Sequence, residues 1–173
     1  MEYPLQIHEI RKKRIEINKH ISDNGVYLLH HDVVRQEEFK NATGIYVDYK
    51  QNLAYISGHR TKLSASSNFY LKLSARYAMF FSSLQLDSMK YPRLMFTDNM
   101  EDKGIESGRA KNLQLVIVNR LKELAEAKES HPSYQLIFAT SYINEELDKP
   151  EYTIGDFYTP DNKSLRNVDF SRT

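Results

Sequence analysis

Cysteine is absent from all 173 residues. Disulfide scaffolds, thiolate metal sites and cysteine nucleophiles are therefore excluded, and a reducing cytosol is compatible. Long apolar runs are missing too: nothing approaches the ~18 consecutive apolar residues that a membrane-spanning helix needs. Met1 to Asn24 has no apolar core of a secretory leader. A soluble cytoplasmic domain with no membrane partner is the expectation. Charge of one sign is also scarce, because 24 Lys and Arg oppose 23 Asp and Glu for a net charge of +1. That balance disfavours a small DNA-binding module and strong attraction to an anionic membrane. The patch Lys12-Lys13-Arg14 reads as a solvated helix face. Only six glycines occur, and none precedes a Lys-Ser or Lys-Thr pair.

What is present suffices for a packed α/β domain. The chain is 40% hydrophobic and 27% charged, and this length buries about two-thirds of the unfolded surface. Leu5 to Ile21 carries Ile7, Ile10, Ile17 and Ile21 at helical spacing and meets a stop signal at Asp23-Asn24-Gly25. The expected division is therefore an amphipathic helix over 1–24 and one α/β domain over 25–173. A short helix is expected around Val34 to Lys40. Gly44 to Gly58 reads as a hairpin turning at Lys50-Gln51-Asn52. Ser67 to Leu86 reads as an internal helix, with Leu73, Tyr77, Phe80 and Leu84 on one stripe. Its small-residue face, Ser74, Ala75, Ala78 and Ser82, admits close approach of another backbone. "RLMFTD" after Pro92 and "YQLIFAT" from Tyr134 read as buried strands around the amphipathic helix Arg109 to Lys128, a parallel βαβ unit. Tyr152 to Tyr158 is expected as a further C-terminal strand.

Ligands of open α/β sheets sit beyond the carboxyl ends of the parallel strands. Here those ends are Asp98 and Thr140-Ser141. An apolar strand ending in Asp suits a magnesium-nucleotide site, where the carboxylate holds a metal-bound water; it equally suits the start of a turn. Ser64 and Ser66 precede an apolar helix, where a serine caps exposed N–H groups; the same geometry suits a phosphate. His30-His31-Asp32 offers metal-ligating side chains, although adjacent histidines diverge and suit a loop. His59 beside Arg60 offers a phosphate contact or a solvated surface. Arg109 is placed to anchor the acidic loop Asn99–Gly108 through Glu106 or Asp102. The tyrosines form no stacking platform for single-stranded nucleic acid.

The order of these pieces, and the strings "SASSNFYLK", "YPRLMFTDNMEDKGIE" and "YQLIFATSYINEEL", resemble the C-terminal lobe of an ABC-type P-loop ATPase head of the SMC and DNA-repair kind. Nearest is a bacterial subgroup of coiled-coil SMC-like ATPases, several associated with phage defence. The resemblance spans roughly Thr43 to Leu165. It sets Leu63-Ser64-Ala65-Ser66-Ser67 at the ABC signature, Leu94 to Asp98 at Walker B, Gly104-Ile105-Glu106 near the D-loop and Ser141 at the switch. It implies ATP and Mg2+ as cofactors, with Asp98 on magnesium through water. Ser64, Ala65, Ser66 and Ser67 would meet the γ-phosphate of a partner head, Ser141 would sense that phosphate, and Glu101 would orient water. The implied assembly is a homodimer across ATP acting on DNA, with Leu5 to Ile21 as a coiled-coil stub.

The sequence departs from that pattern. Asn99 stands where the family has its general-base Glu, Ser141 where a His is frequent, and Ala65 and Ser66 where the signature has glycines. No G-x-x-x-x-G-K-[ST] loop occurs, so no cradle of N–H groups with its phosphate-reaching Lys is available in this chain. Two readings follow. One is a half-head, hydrolysing ATP only when a Walker A-containing N-terminal lobe or subunit completes it. The other is a non-catalytic interaction module derived from such a head.

Overall fold

The computed structural model describes residues 3–33, 36–58, 63–100, 104–127, 132–155, 158, 159 and 161, with side chains from residue 7 onward. The fold is mixed α/β. Its elements are α1 (Tyr3–His30), α2 (Glu37–Lys40), β1 (Ile45–Asp48), β2 (Leu53–Ile56), α3 (Ala65–Gln85), β3 (Leu94–Asp98), α4 (Ser107–Glu126) and β4 (Gln135–Ala139). No described helix is long and apolar enough to cross a membrane.

α3 is the central element, as its pattern predicts. Tyr70, Tyr77, Phe80 and Phe81 are fully buried on it, and so are the small residues Ser74, Ala75, Ala78 and Ser82. α1 packs against α3, Asn24 meeting Ser82 of the small-residue face. The sequence expectation for α1 fails at its end, because the helix runs through Asp23-Asn24-Gly25 to His30. The reason is tertiary. Asn24 is buried, and its amide donates to Ser82 Oγ at 3.1 Å and to Gln85 Oε1 at 2.6 Å. Arg120 of α4 donates to Asn24 Oδ1 from Nε at 3.3 Å and from Nη2 at 3.0 Å. An Asn side chain satisfied in this way no longer competes for its own backbone, which is what makes Asn a helix breaker. Gly25 lies against Ile45 of the hairpin: a Cβ there would sit 2.1 Å from Ile45 Cδ1. The supposed stop is the point where three elements converge on α1.

The hairpin forms as expected, with Ile45 opposite Ile56 and Asp48 opposite Leu53. Asp48 Oδ1 accepts from the Lys50 and Gln51 N–H groups, and Asn52 takes the left-handed conformation (φ 52°) that Asn tolerates. α2 is a single turn anchored by buried Phe39, where a short helix is expected. β3 and β4 pair in parallel, Leu94 with Gln135 through Asp98 with Ala139, on either side of α4 in sequence. One face of this pair packs on α3, where Tyr77 meets the Phe138 ring at 6.2 Å and shares a hydrogen bond with Thr97 Oγ1.

Two strand expectations need correction. β3 and β4 are not buried on both faces: Leu94 is 56% exposed, Phe96 60% and Ile137 38%. Among the described residues nothing lies over that side. Tyr152 to Tyr158 forms no strand over its described residues; Glu151 and Tyr152 belong to a turn in which the Tyr152 N–H donates to the Lys149 carbonyl at 2.9 Å.

The buried phenols give the fold a pH limit. Burial pushes Tyr70 and Tyr77 far above the usual phenol range, the Asp32 charge pushing Tyr70 further and the Thr97 hydrogen bond opposing the rise at Tyr77. Burial, then the hydrogen bond to Glu123, raises Tyr27 to about 12. A raised folded-state value stabilises the fold fully below the unfolded value of about 10 and ceases to do so as pH climbs toward the folded value. Stability should therefore fall from about pH 10 upward, with Tyr70 and Tyr77 ionising only as helical circular dichroism is lost. Complete tyrosinate absorbance with circular dichroism intact would contradict this burial. The chain has no tryptophan to obscure the signal.

Candidate functional site at the carboxyl end of the parallel strands

β3 and β4 run the same way, so Asp98 and the Thr140-Ser141 pair emerge at one end of the sheet, as the strand pattern predicts. Alternation sets Asp98 on the same face as Leu94 and Phe96, the open one, and its side chain is exposed. Asn99 extends the pairing by one bond, its N–H donating to the Ala139 carbonyl at 2.8 Å. It then turns the chain in a left-handed conformation (φ 36°). Buried Met100 and Ile105 fasten the two ends of the following acidic loop to the core. Glu101, Asp102 and His59-Arg60 lie outside the described residues.

Ser141 is exposed just past β4, and the loop bearing it is held by a residue that sequence reasoning overlooked. Gln114, on the buried face of α4, donates from Nε2 to Thr140 Oγ1 at 3.3 Å and to the Tyr142 carbonyl at 2.9 Å. Its Oε1 accepts from the Asn144 N–H at 3.1 Å. Asn144 in turn donates to the Lys111 carbonyl at 3.2 Å. The only sequence signal was a glutamine interrupting the apolar stripe of α4 between Leu113 and Ile117.

The signature-like segment stands apart from this end. Ser64 caps α3, its Oγ accepting from the Ser67 N–H at 3.2 Å and lying 3.2 Å from Ser66 Oγ. Ser64 and Ala65 are exposed, Ser66 is half-buried and Ser67 is fully buried. Ser67 is therefore not presented outward with the others, contrary to expectation. Tyr77 of α3 sits beside Thr97, so Ser64 lies more than three turns away along the helix, roughly 20 Å at 1.5 Å per residue.

The expected partner of Arg109 is also corrected. Arg109 does not reach Glu106 but makes a two-pronged pair with Asp32, Nε to Oδ1 at 2.8 Å and Nη2 to Oδ2 at 2.6 Å. Both side chains are buried, and the guanidinium lies 4.3 Å from the Tyr70 ring centre. His30 Nε2 meets the Ala42 carbonyl at 2.9 Å and His31 Nδ1 the Tyr27 carbonyl at 2.7 Å, so this trio closes the end of α1 instead of gathering on an ion.

Among the described residues no three His, Cys, Asp or Glu side chains converge as a metal cage. Asp98 offers an exposed carboxylate, a donor of the kind that takes a magnesium-bound water. A groove of about 470 Å³ lined by Leu84, Leu121, Leu124, Pro132 and Tyr134 is apolar and lies near the start of β4, away from Asp98. No protein-family model, curated protein or solved structure matches the chain.

Proposed function

We propose that this chain is half of an SMC-like ATPase head, the C-terminal lobe that supplies Walker B and signature segments and is completed by a Walker A-containing lobe. The observation that carries the reading is the half-built sheet. Parallel sheets occur with both faces covered, and two strands alone are only marginally stable in water. Here a parallel pair offers apolar Leu94, Phe96 and Ile137 to solvent, with Asp98 at the tip of the same face. A lobe that extends and covers this sheet would bring its phosphate loop to Asp98. The exposed position of Ser64 at the start of α3 suits a signature, which acts on the nucleotide of an opposing subunit.

In this proposal Asp98 accepts a hydrogen bond from a magnesium-bound water. Ser64, Ser66 and the Ala65 backbone face the partner head's γ-phosphate, Ser141 hydrogen-bonds the γ-phosphate in its own head, and Glu101 orients water. Magnesium, when bound, neutralises charge developing on the phosphates. Homodimerisation across ATP would couple hydrolysis to DNA transactions or defence. Asn99 favours the second reading, a non-catalytic interaction module: a neutral amide at the general-base position takes no proton from water.

The test mixes the chain with a Walker A-containing N-terminal lobe and follows magnesium-dependent ATP hydrolysis. Activity should appear only on mixing and fall by about 100-fold or more in Asp98→Ala, a surface change that leaves circular dichroism unaltered. A stable complex without hydrolysis would favour the interaction module. Failure to form any complex would remove both.

A further inference from the structure

α1 outruns the body of the protein. His20 Nδ1 contacts Gln85, the last residue of α3, at 3.4 Å, and Asn24 and Leu28 lie deeper along it. The residues that face α3, Ile17, Ile21, Asn24 and Leu28, follow alternating three- and four-residue spacing, the seam of packed helices. The same seam continues toward the N-terminus through Arg14, which lies near Tyr49 of the hairpin turn, to Ile10 and Ile7, which no described element covers: Ile7 is 64% and Ile10 66% exposed. At 100° per residue, Arg11, Lys13 and Arg14 lie within or beside this strip, while the acidic Glu9 and Glu16 fall on the opposite face. The uncovered surface is thus apolar and flanked by cations alone.

We infer that the N-terminal half of α1 is a docking surface for an acidic amphipathic helix of another polypeptide, laid end-to-end with α3 along one continuous seam. Continuity with the α1–α3 interface argues for a helix as occupant, because the phase that seats α3 is kept without a break. Charge selects the partner. A second copy of this chain would bring Arg11, Lys13 and Arg14 against their own kind, whereas Glu at the positions flanking an apolar strip would pair with them. The inference does not depend on ATP hydrolysis.

The probes are two labelled peptides of about three heptads, both with Leu at the seam positions, one flanked by Glu and one by Lys. Fluorescence anisotropy with the full chain should show the Glu peptide binding at least about tenfold tighter, an advantage that shrinks in high salt. The Ile7→Ser/Ile10→Ser chain should lose about tenfold or more of that affinity. Charge reversal by Arg11→Glu/Lys13→Glu should switch preference to the Lys peptide. All these side chains are exposed, so circular dichroism should be unchanged. Equal affinity for both peptides, or binding indifferent to the isoleucines, would overturn the proposal. So would self-association, or binding to phosphatidylserine vesicles, that the isoleucine substitutions abolish while peptide binding is absent.

Discussion

Replacing Arg109 with alanine is expected to lower the free energy of unfolding by about 3–5 kcal/mol, the usual consequence of leaving one partner of a buried ion pair without the other. The two side chains are 2% and 0% exposed, so Asp32 would be left with its charge away from water and the flat faces of Tyr70 and Phe39 without their cation. For a chain of this size the loss corresponds to a fall in melting temperature of roughly 10 °C or more. Asp32→Ala should cost a similar amount. The double variant Asp32→Leu/Arg109→Met should recover most of it, because removing both charges removes the desolvation debt. Urea denaturation of the four proteins measures this directly. A cost below about 1 kcal/mol for Arg109→Ala would mean that the pair behaves like an exposed one. The pair matters for the candidate site because it joins the end of α1 to the first turn of α4, the helix whose Gln114 holds the Ser141 loop.

The second large effect is expected at Gly25. Leucine there should destabilise the fold by about 3 kcal/mol, the upper end for overpacking an interior, because even a Cβ would come within 2.1 Å of Ile45 Cδ1 and 2.6 Å of Cγ1. Gly25→Ala separates two opposing terms. In a free helix the change stabilises by about 1 kcal/mol, but here the clash should outweigh that gain. In an Ile45→Ala background the clash disappears, and Gly25→Ala should become neutral or stabilising. A cost identical in both backgrounds would show that the hairpin does not press on α1 at this position.

These two sites mark the boundary of what pattern reading reaches. The long periodic segments were legible: α3 and α4 show their buried stripes at helical spacing, and the hairpin shows alternation around a polar turn. The parallel pairing of β3 and β4 followed from strand, helix and strand in succession, and with it the joint emergence of Asp98 and Ser141. Such features depend on neighbours a few residues apart. The pairing of Arg109 with Asp32 does not, since the partners are 77 residues apart and several charged residues nearer in sequence were equally plausible. The reading of Asp23-Asn24-Gly25 as a stop failed for a related reason. Each residue is a weak helix former alone, and only Ser82, Gln85, Arg120 and Ile45, all distant in sequence, supply the contacts that outweigh about 1 kcal/mol of propensity.

By itself, then, the amino-acid sequence determined the α/β class, the elements carrying Asp98, Ser64 and Ser141, and the absence of a phosphate-cradling loop, because these rest on local periodicity and residue identity. Tertiary structure alone decided that α1 continues to His30, that Ser67 turns inward, that Gln114 holds the loop after β4, and that one face of the β3–β4 pair stays open. The physical reason is that burial is a property of the assembled molecule: apolar Leu94, Phe96 and Ile137 look like core residues in the chain, and only the arrangement of its other elements shows that nothing among the described residues covers them.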